Sequence, residues 1–198
     1  IKDVLSFDMG GTTAKICLID NHIPQMTRTF EVARVYRNLK GSGLPVRIPA
    51  IEMVEIGAGG GSIAKVDNMN RITVGPESAG AIPGPACYGQ NGSDATVTDA
   101  DVVLGRINPE GFAGGAVDLQ PEMARRALEK AVGEKLTLDA TLSAFGVSEI
   151  VDENMANAAR VHAIEWGKDI SARSMIAFGG AAPLHAIRLA EKLNIDEV

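Results

Sequence analysis

Apolar positions recur with two periods along this 198-residue chain. Val4, Leu5 and Phe7 lead into Asp8-Met9-Gly10-Gly11-Thr12-Thr13, and an alternating run from Ala14 to Asp20 leaves it. That pattern predicts strand, tight glycine turn, strand. Residues 27–35 alternate well enough for a third strand, with Asn21-His22-Ile23-Pro24 as the turn before it. Residues 53–56 read as a short strand, and 63–67 with 71–74 as a hairpin around Asn68-Met69-Asn70. Later the period changes to that of a helix. Thr98 or Asp99 is the expected cap of a helix over 97–105 that Gly105 closes, and Pro121 opens another over 121–132. Leu142, Phe145, Ile150, Met155, Ala158, Val161 and Ile164 carry helical spacing across 140–166. Gly146 is expected to divide a short helix there from a long one that starts near Ser148. A buried strand over 175–178, a turn at 179–183 and a helix over 183–193 complete the order, which suits an α/β domain with a mixed sheet.

Two stretches lack either period. Residues 40–50, broken by Gly and Pro, read as an irregular loop or lid with a short extended piece. Residues 75–96 are dense in Gly, Pro, Ala and Ser and poor in charge, which favours an ordered, packed loop over a solvated linker. A composition of 45% hydrophobic and 22% charged residues is that of a soluble globular protein. A net charge of −6 leaves no basic footprint, so neither nucleic acid nor an acidic membrane is an expected partner. Cys17 and Cys87 lack metal-ligand spacing and fit a reducing, cytoplasmic setting. No signal segment or unbroken apolar stretch long enough for a bilayer is present. The chain begins at Ile1 just before a strand and ends where another would start, so the expectation is a domain cut from a longer protein.

Three glycine turns are the candidate chemistry. Asp8 closes an apolar strand, Gly10 and Gly11 let the backbone approach whatever lies above, and Thr12 and Thr13 add hydroxyls beside exposed N–H groups. A carboxylate, a glycine turn and hydroxyls make a cradle for Mg and phosphate; the alternative is a hairpin turn with capping hydroxyls. Gly57-Ala58-Gly59-Gly60-Gly61-Ser62 offers a second backbone surface for phosphate or substrate, against a flexible surface loop. It is neither a Walker A loop, since no Lys-Ser/Thr follows, nor a Rossmann fingerprint, since no helix does. Gly179-Gly180-Ala181-Ala182-Pro183 places free N–H groups at a helix start, an anion contact if it is not merely a close crossover. The simpler readings of the remaining residues are an inert buried thiol at Cys87 and a helix-surface or interface histidine at His162. Asp99 and Asp101 read most simply as capping groups, with a metal contact as the alternative, and His185 as a ligand or a satisfied structural histidine.

Taken together, residues 6–15, 55–64, 75–89, 96–105 and 177–186 resemble the hydantoinase A / 5-oxoprolinase family, in order and across essentially the whole chain, and most of all its ATP-dependent N-methylhydantoinase A subunits. The resemblance implies the actin-like, ribonuclease H-like ATPase fold, in which two lobes close on ATP. Residues 8–13 match the turn of the second lobe and 179–183 the later loop near the adenosine. Residues 1–198 are therefore expected to be a second lobe with a Gly/Pro-rich insertion at about 40–96. Family members often have Asp where Lys15 stands, and Gly where Ala182 precedes Pro183.

The activity implied is ATP-dependent hydrolysis of a cyclic amide such as a hydantoin or 5-oxoproline. A ring amide is a poor electrophile; phosphorylating its carbonyl oxygen makes a good leaving group and activates the carbon, so that water can then open the ring, and such transfer needs Mg and positioned donors. Asp8 and Thr12 are the catalytic candidates, with Asp8 holding Mg and the N–H groups of Gly10, Gly11, Thr12 and Thr13 holding phosphate. Gly179, Gly180 and Ala181 would line the adenosine side, and Gly59, Gly60, Gly61 and Ser62 would approach the γ-phosphate or substrate. A hydantoinase B-type subunit or domain is the implied partner, and this stretch alone is expected to be inactive. The alternatives are an ATP-dependent carboxylase subunit acting on a ketone and bicarbonate, and a non-catalytic nucleotide-binding scaffold.

Overall fold

The computed structural model describes residues 1–33, 35 and 41–198. Strands β1 (Val4–Met9) and β2 (Ala14–Asp20) form the predicted opening hairpin, with Phe7 opposite Ile16 and Asp8 opposite Lys15. Asn21 and His22 both take left-handed conformations, φ 49° and 67°, whose twist suits a two-residue reversal. Ile23–Pro24 then pairs with the end of β2. The third strand expected over 27–35 does not join this sheet. Met26–Thr27 pairs with Ala50–Ile51 and Phe30–Val32 with Leu44–Val46, a side arm of short ladders. Pro24 lacks the N–H to extend the main ladder, and Ala33 turns to φ +53°. Arg34 and Lys40, which fall within the predicted strand and loop, lie outside the described residues. The place beside β2 goes to β3 (Met53–Ile56), with Ala14 opposite Ile56.

The expected second hairpin is β4 (Ser62–Val66) with β5 (Ile72–Ser78), longer than predicted because β5 runs past a register shift into Gly75–Ser78. Gly84, Pro85, Ala86 and Cys87 are buried, as a packed loop requires. Helix α1 (Val97–Val103) is capped by Thr96, not by Thr98 or Asp99. The Thr96 hydroxyl accepts from the Asp99 N–H at 3.3 Å and the Asp99 carboxylate accepts from the Thr96 N–H at 2.9 Å, a reciprocal capping box. Helix α2 (Pro121–Leu128) passes through a π turn, Glu129–Gly133, into Glu134–Leu136.

Helix α3 runs unbroken over Ala140–Glu165, and Gly146 does not divide it. A Cβ at Gly146 would sit 2.6 Å from the Ile72 side chain, so this glycine lets the helix lie close on the β4–β5 hairpin rather than ending it. His162, expected on the helix surface or at an interface, is buried. Strand β6 (Ser174–Phe178) adds parallel to β1, and α4 (Ala182–Leu193) follows it. The main sheet is thus mixed, ordered β6-β1-β2-β3. Leu5, Phe7, Met9, Ala14, Ile16 and Leu18 point to one face, where α3 and α4 bury them with Val147, Val151, Met155 and Leu189. The opposite face carries Ser6, Asp8, Lys15 and Cys17, with Ile176 and Phe178 about half exposed. This is the predicted α/β fold with helices flanking a mixed sheet. No helix among the described residues is long and apolar enough to cross a membrane.

Candidate functional site

The three glycine segments, far apart in sequence, meet at one end of the sheet. The turn between β1 and β2 holds itself with a Gly10 N–H to Thr13 carbonyl bond of 3.1 Å. The second segment lies beneath it: Gly60 N–H donates to the Gly10 carbonyl at 3.0 Å and Gly61 N–H to the Gly11 carbonyl at 2.7 Å. A Cβ at Gly59 would fall 2.5 Å from the Thr12 nitrogen and 2.6 Å from the Gly11 carbonyl carbon, so the loop stacks on the Gly11–Thr12 peptide. The third segment closes the side. Ala181 N–H donates to the Met9 carbonyl at 2.9 Å, and a Cβ at Gly179 would meet an Asp8 carboxylate oxygen at 2.5 Å. Gly179 also has φ +98°, a conformation that glycine adopts freely.

These bonds decide which N–H groups face outward. The carbonyls of Gly10 and Gly11 point down into the supporting loop, and both following peptide bonds are trans. The N–H groups of Gly11 and Thr12 therefore point the opposite way, to the exposed side of the turn. Nothing lies within 4 Å of where a Cβ would stand at Gly10, Gly11 or Gly180. Two adjacent outward N–H groups thus stand beside the half-buried Asp8 carboxylate, the donors and the charge that a phosphate with its cation would require. Lys15 lies across from Asp8 on the same face, and its ammonium donates to the Thr13 hydroxyl at 3.5 Å.

The second segment has a different part from the one expected of it. Gly59, Gly60, Gly61 and Ser62 are buried. Gly59 N–H donates to the Ser62 hydroxyl at 2.9 Å and Ser62 N–H to the Gly59 carbonyl at 3.0 Å. With the Gly60 and Gly61 N–H groups given to the opening turn, these residues form its floor rather than a ligand-facing surface. The Thr98 N–H and hydroxyl, at 2.7 and 2.9 Å from the Gly60 carbonyl, fasten that floor to α1.

Among the described residues no cluster of three or more His, Cys, Asp or Glu could hold a metal ion. A lone carboxylate still fits Mg, which keeps several waters and takes its other ligands from phosphate oxygens. Asp99 is a structural group. Its carboxylate accepts from the N–H groups of Cys87 (2.7 Å) and Ala86 (3.3 Å), fixing the 75–96 loop on the cap of α1. Burial, then the nearby Asp99 carboxylate, pushes the Cys87 thiol well above its ordinary range, which agrees with an inert thiol.

Asp101 is not a capping residue. His185 is fully buried, with Nδ1 2.7 Å from Asp152 Oδ1 and Nε2 3.2 Å from Asp101 Oδ2. Arg106 donates to Asp101 Oδ1 at 3.1 Å and to the Ser148 hydroxyl at 2.7 Å. Burial alone would lower the His185 pKa, but the hydrogen bonds and charges of Asp101 and Asp152 outweigh it and raise the value to about 9. The sequence signal for this cluster was Ser148 and Asp152, polar residues one turn apart on the buried stripe of α3.

The hydantoinase/oxoprolinase family model matches residues 1–198. The chain belongs to that family. Caprolactamase subunit alpha of Pseudomonas jessenii is 36% identical to it over 194 residues, covering 98% of this chain and 27% of the relative. Among solved structures, the ATP-dependent caprolactamase from Pseudomonas jessenii superposes with a TM-score of 0.84 at 35% identity, over 98% of this chain and 27% of that one. The nucleotide-free structure of acetone carboxylase, from work on ATP-dependent acetone carboxylation, gives a TM-score of 0.84 at 27% identity, over 98% and 26%. The chain thus spans about a quarter of the length of these hydantoinase/oxoprolinase relatives.

Proposed function

We propose that this chain supplies one lobe of the ATP site of an ATP-dependent enzyme that opens a cyclic amide, a hydantoin or 5-oxoproline type of ring. The supporting observation is the meeting of the three glycine segments around the outward N–H groups of Gly11 and Thr12, beside Asp8. In this reading those N–H groups and the Thr12 and Thr13 hydroxyls hold phosphate oxygens, and Asp8 holds Mg directly or through water. The Gly10 carbonyl faces the floor, and the Gly10 N–H closes the turn onto Thr13, so Gly10 acts by shape. Gly179, Gly180 and Ala181 form the wall toward the adenosine, since the space over Gly180 is open. Gly59, Gly60, Gly61 and Ser62 hold the turn from below. ATP would supply a phosphoryl group to the carbonyl oxygen of the ring amide, with ADP leaving; water would then add to the activated carbon, the ring C–N bond would break with the nitrogen taking a proton, and a second water would release phosphate from the resulting acyl phosphate. The other lobe, the substrate residues and a hydantoinase B-type partner lie outside this stretch.

A carboxylase subunit that activates a ketone or bicarbonate is the second reading, and the likeness to acetone carboxylase supports it. The longer protein that contains this chain, assayed with its partner subunit, separates the two. ATP hydrolysis stimulated by hydantoins, 5-oxoproline or a lactam supports the first, and stimulation by a ketone with bicarbonate supports the second. Hydrolysis that neither stimulates, and that Asp8→Asn leaves unchanged, would sink both.

A further inference from the structure

The cluster around His185 contributes nothing to the outward face of the site, yet it joins α1 and α4, the helices next to its floor and its wall, to α3. Asp101 comes from α1, Asp152 from α3, and His185 from the first turn of α4. Each ring nitrogen faces a carboxylate oxygen. Carboxylates only accept, so the arrangement is satisfied when both ring nitrogens donate. The remaining Asp101 oxygen accepts from Arg106, and the remaining Asp152 oxygen accepts from the Ser148 hydroxyl at 3.5 Å. Two carboxylates, one guanidinium and one imidazolium balance, which is what a buried ionic group requires. Farther along α4, Arg188 and Lys192 are engaged separately by Glu149, Glu153 and Glu191.

From this ring, two short paths lead to the site. Three residues before Asp101, Thr98 holds the Gly60 carbonyl, and Gly60 and Gly61 hold the opening turn. Four residues before His185, Ala181 holds the Met9 carbonyl and sets Gly179 against Asp8. The floor and the wall of the site are therefore referred to the same buried side chain.

We propose that His185 is a positioning residue, clamped between Asp101 and Asp152, that fixes the Gly179–Ala181 wall relative to the Gly59–Ser62 floor and so sets the geometry in which the turn receives a nucleotide. The nucleotide part rests on the function proposed above; the positioning part does not. With His185 replaced by a neutral side chain, Asp101 on α1 and Asp152 on α3 would face each other unbridged, and α4 would lose this tie to both helices. A change in this network acts on ligand binding and on loop order together, and less on turnover at saturation.

The test uses the longer protein with its partner subunit and the paired change His185→Gln with Asp152→Asn, which removes one positive and one negative charge together. Hydrogen exchange is followed in the 57–62 and 179–184 segments, and MgATP affinity is measured by titration. Expected is faster exchange in both segments and affinity weaker by about tenfold, with kcat at saturating ATP changed by less than about threefold. Exchange unchanged in either segment of the folded variant overturns the proposal. Where the pair fails to fold, the unaltered protein decides: protection factors, which divide out the base-catalysed intrinsic exchange rate, should fall together in both segments as pH goes from 7 to 10, and a fall confined to one of them, or protection unchanged in both, refutes the clamp. Unaltered protein that binds no MgATP defeats the nucleotide reading, and the exchange comparison still decides the positioning.

Discussion

Gly59→Ala tests whether the second glycine segment is a floor. The added methyl would lie 2.5 Å from the Thr12 nitrogen, 2.6 Å from the Gly11 carbonyl carbon and 2.7 Å from its oxygen. All three are backbone atoms, so no side chain can swing aside; either the turn rises or the loop drops. Overpacking of this kind costs about 1–3 kcal/mol. The movement also strains the Gly60-to-Gly10 and Gly61-to-Gly11 hydrogen bonds, each worth about 0.5–1.5 kcal/mol. A loss of about 2–6 kcal/mol follows, a large part of what holds a typical domain together. Urea unfolding followed by circular dichroism reads it as a lower midpoint with unchanged slope. Gly180→Ala is the matched control. No atom lies within 4 Å of that methyl and the glycine is not in the left-handed region, so stability should stay within about 0.5 kcal/mol. In the longer protein the same Gly180→Ala change should weaken MgATP binding, because its methyl enters the open space. A Gly59→Ala protein as stable as the Gly180→Ala protein would refute the floor and return the loop to the ligand-facing part the sequence predicts for it.

Asp8→Asn should leave the unfolding midpoint in place and lower ATP turnover of the longer protein by about a hundredfold or more, the scale on which one transition-state electrostatic partner acts; turnover within threefold of the parent excludes Asp8 as the metal group. Stability should fall in alkaline solution through His185. Its folded pKa, about 9, lies above the unfolded value near 6.5, so its contribution, about 3 kcal/mol in full, is complete below about pH 6.5 and lost as pH rises to about 9. Urea midpoints at pH 6.5 and 9.5 check this, and the His185→Gln, Asp152→Asn pair should flatten the profile. Cys87 is buried with its thiol pushed up, whereas Cys17 is half-buried. Iodoacetamide at pH 8 should therefore label Cys17 slowly and Cys87 only in denaturant, which peptide mass spectrometry would show; equal labelling of both in native protein contradicts the buried position.

Much of the fold was legible because local chemistry and tertiary position agree in its main elements. The β1–β2 hairpin, the β4–β5 hairpin, β6 and α4 have their periods written in residues that also build the core. Legibility failed where a residue answers to a distant neighbour. Gly146 looks like a helix break, and only the Ile72 side chain pressing on it explains why it is glycine. Residues 27–35 alternate like a sheet strand, but the position beside β2 was taken by Met53–Ile56, whose Val54 and Ile56 complete the buried face. Thr96 outranked Thr98 as a cap because Asp99 returns its bond, whereas the Thr98 hydroxyl is turned to Gly60.

The same limit governs the site. Gly59 and Gly180 sit in similar glycine-rich runs, each at the end of a strand pattern, and nothing local distinguishes them. One is glycine because another backbone lies against it, the other has open space before it. What separates them is the direction of two carbonyls. Once Gly10 and Gly11 accept from the floor, the N–H groups of Gly11 and Thr12 must face away from it, and Gly179 must be glycine for the wall to reach Asp8. The outward donors are therefore a consequence of the buried loop, so a substitution in the floor should act on a ligand that it never touches. Gly61→Ala offers a milder case than Gly59→Ala: its methyl would meet the Ser78 hydroxyl at 2.9 Å and the Gly11 carbonyl oxygen at 3.0 Å. Ser78 can rotate and the carbonyl must tilt only slightly, so stability should fall by about 1 kcal/mol. MgATP affinity of the longer protein should nevertheless weaken along with it, since the tilt of the Gly11 carbonyl carries the Thr12 N–H on the same peptide. Affinity unchanged beside a measurable loss of stability would show that the turn is held from elsewhere.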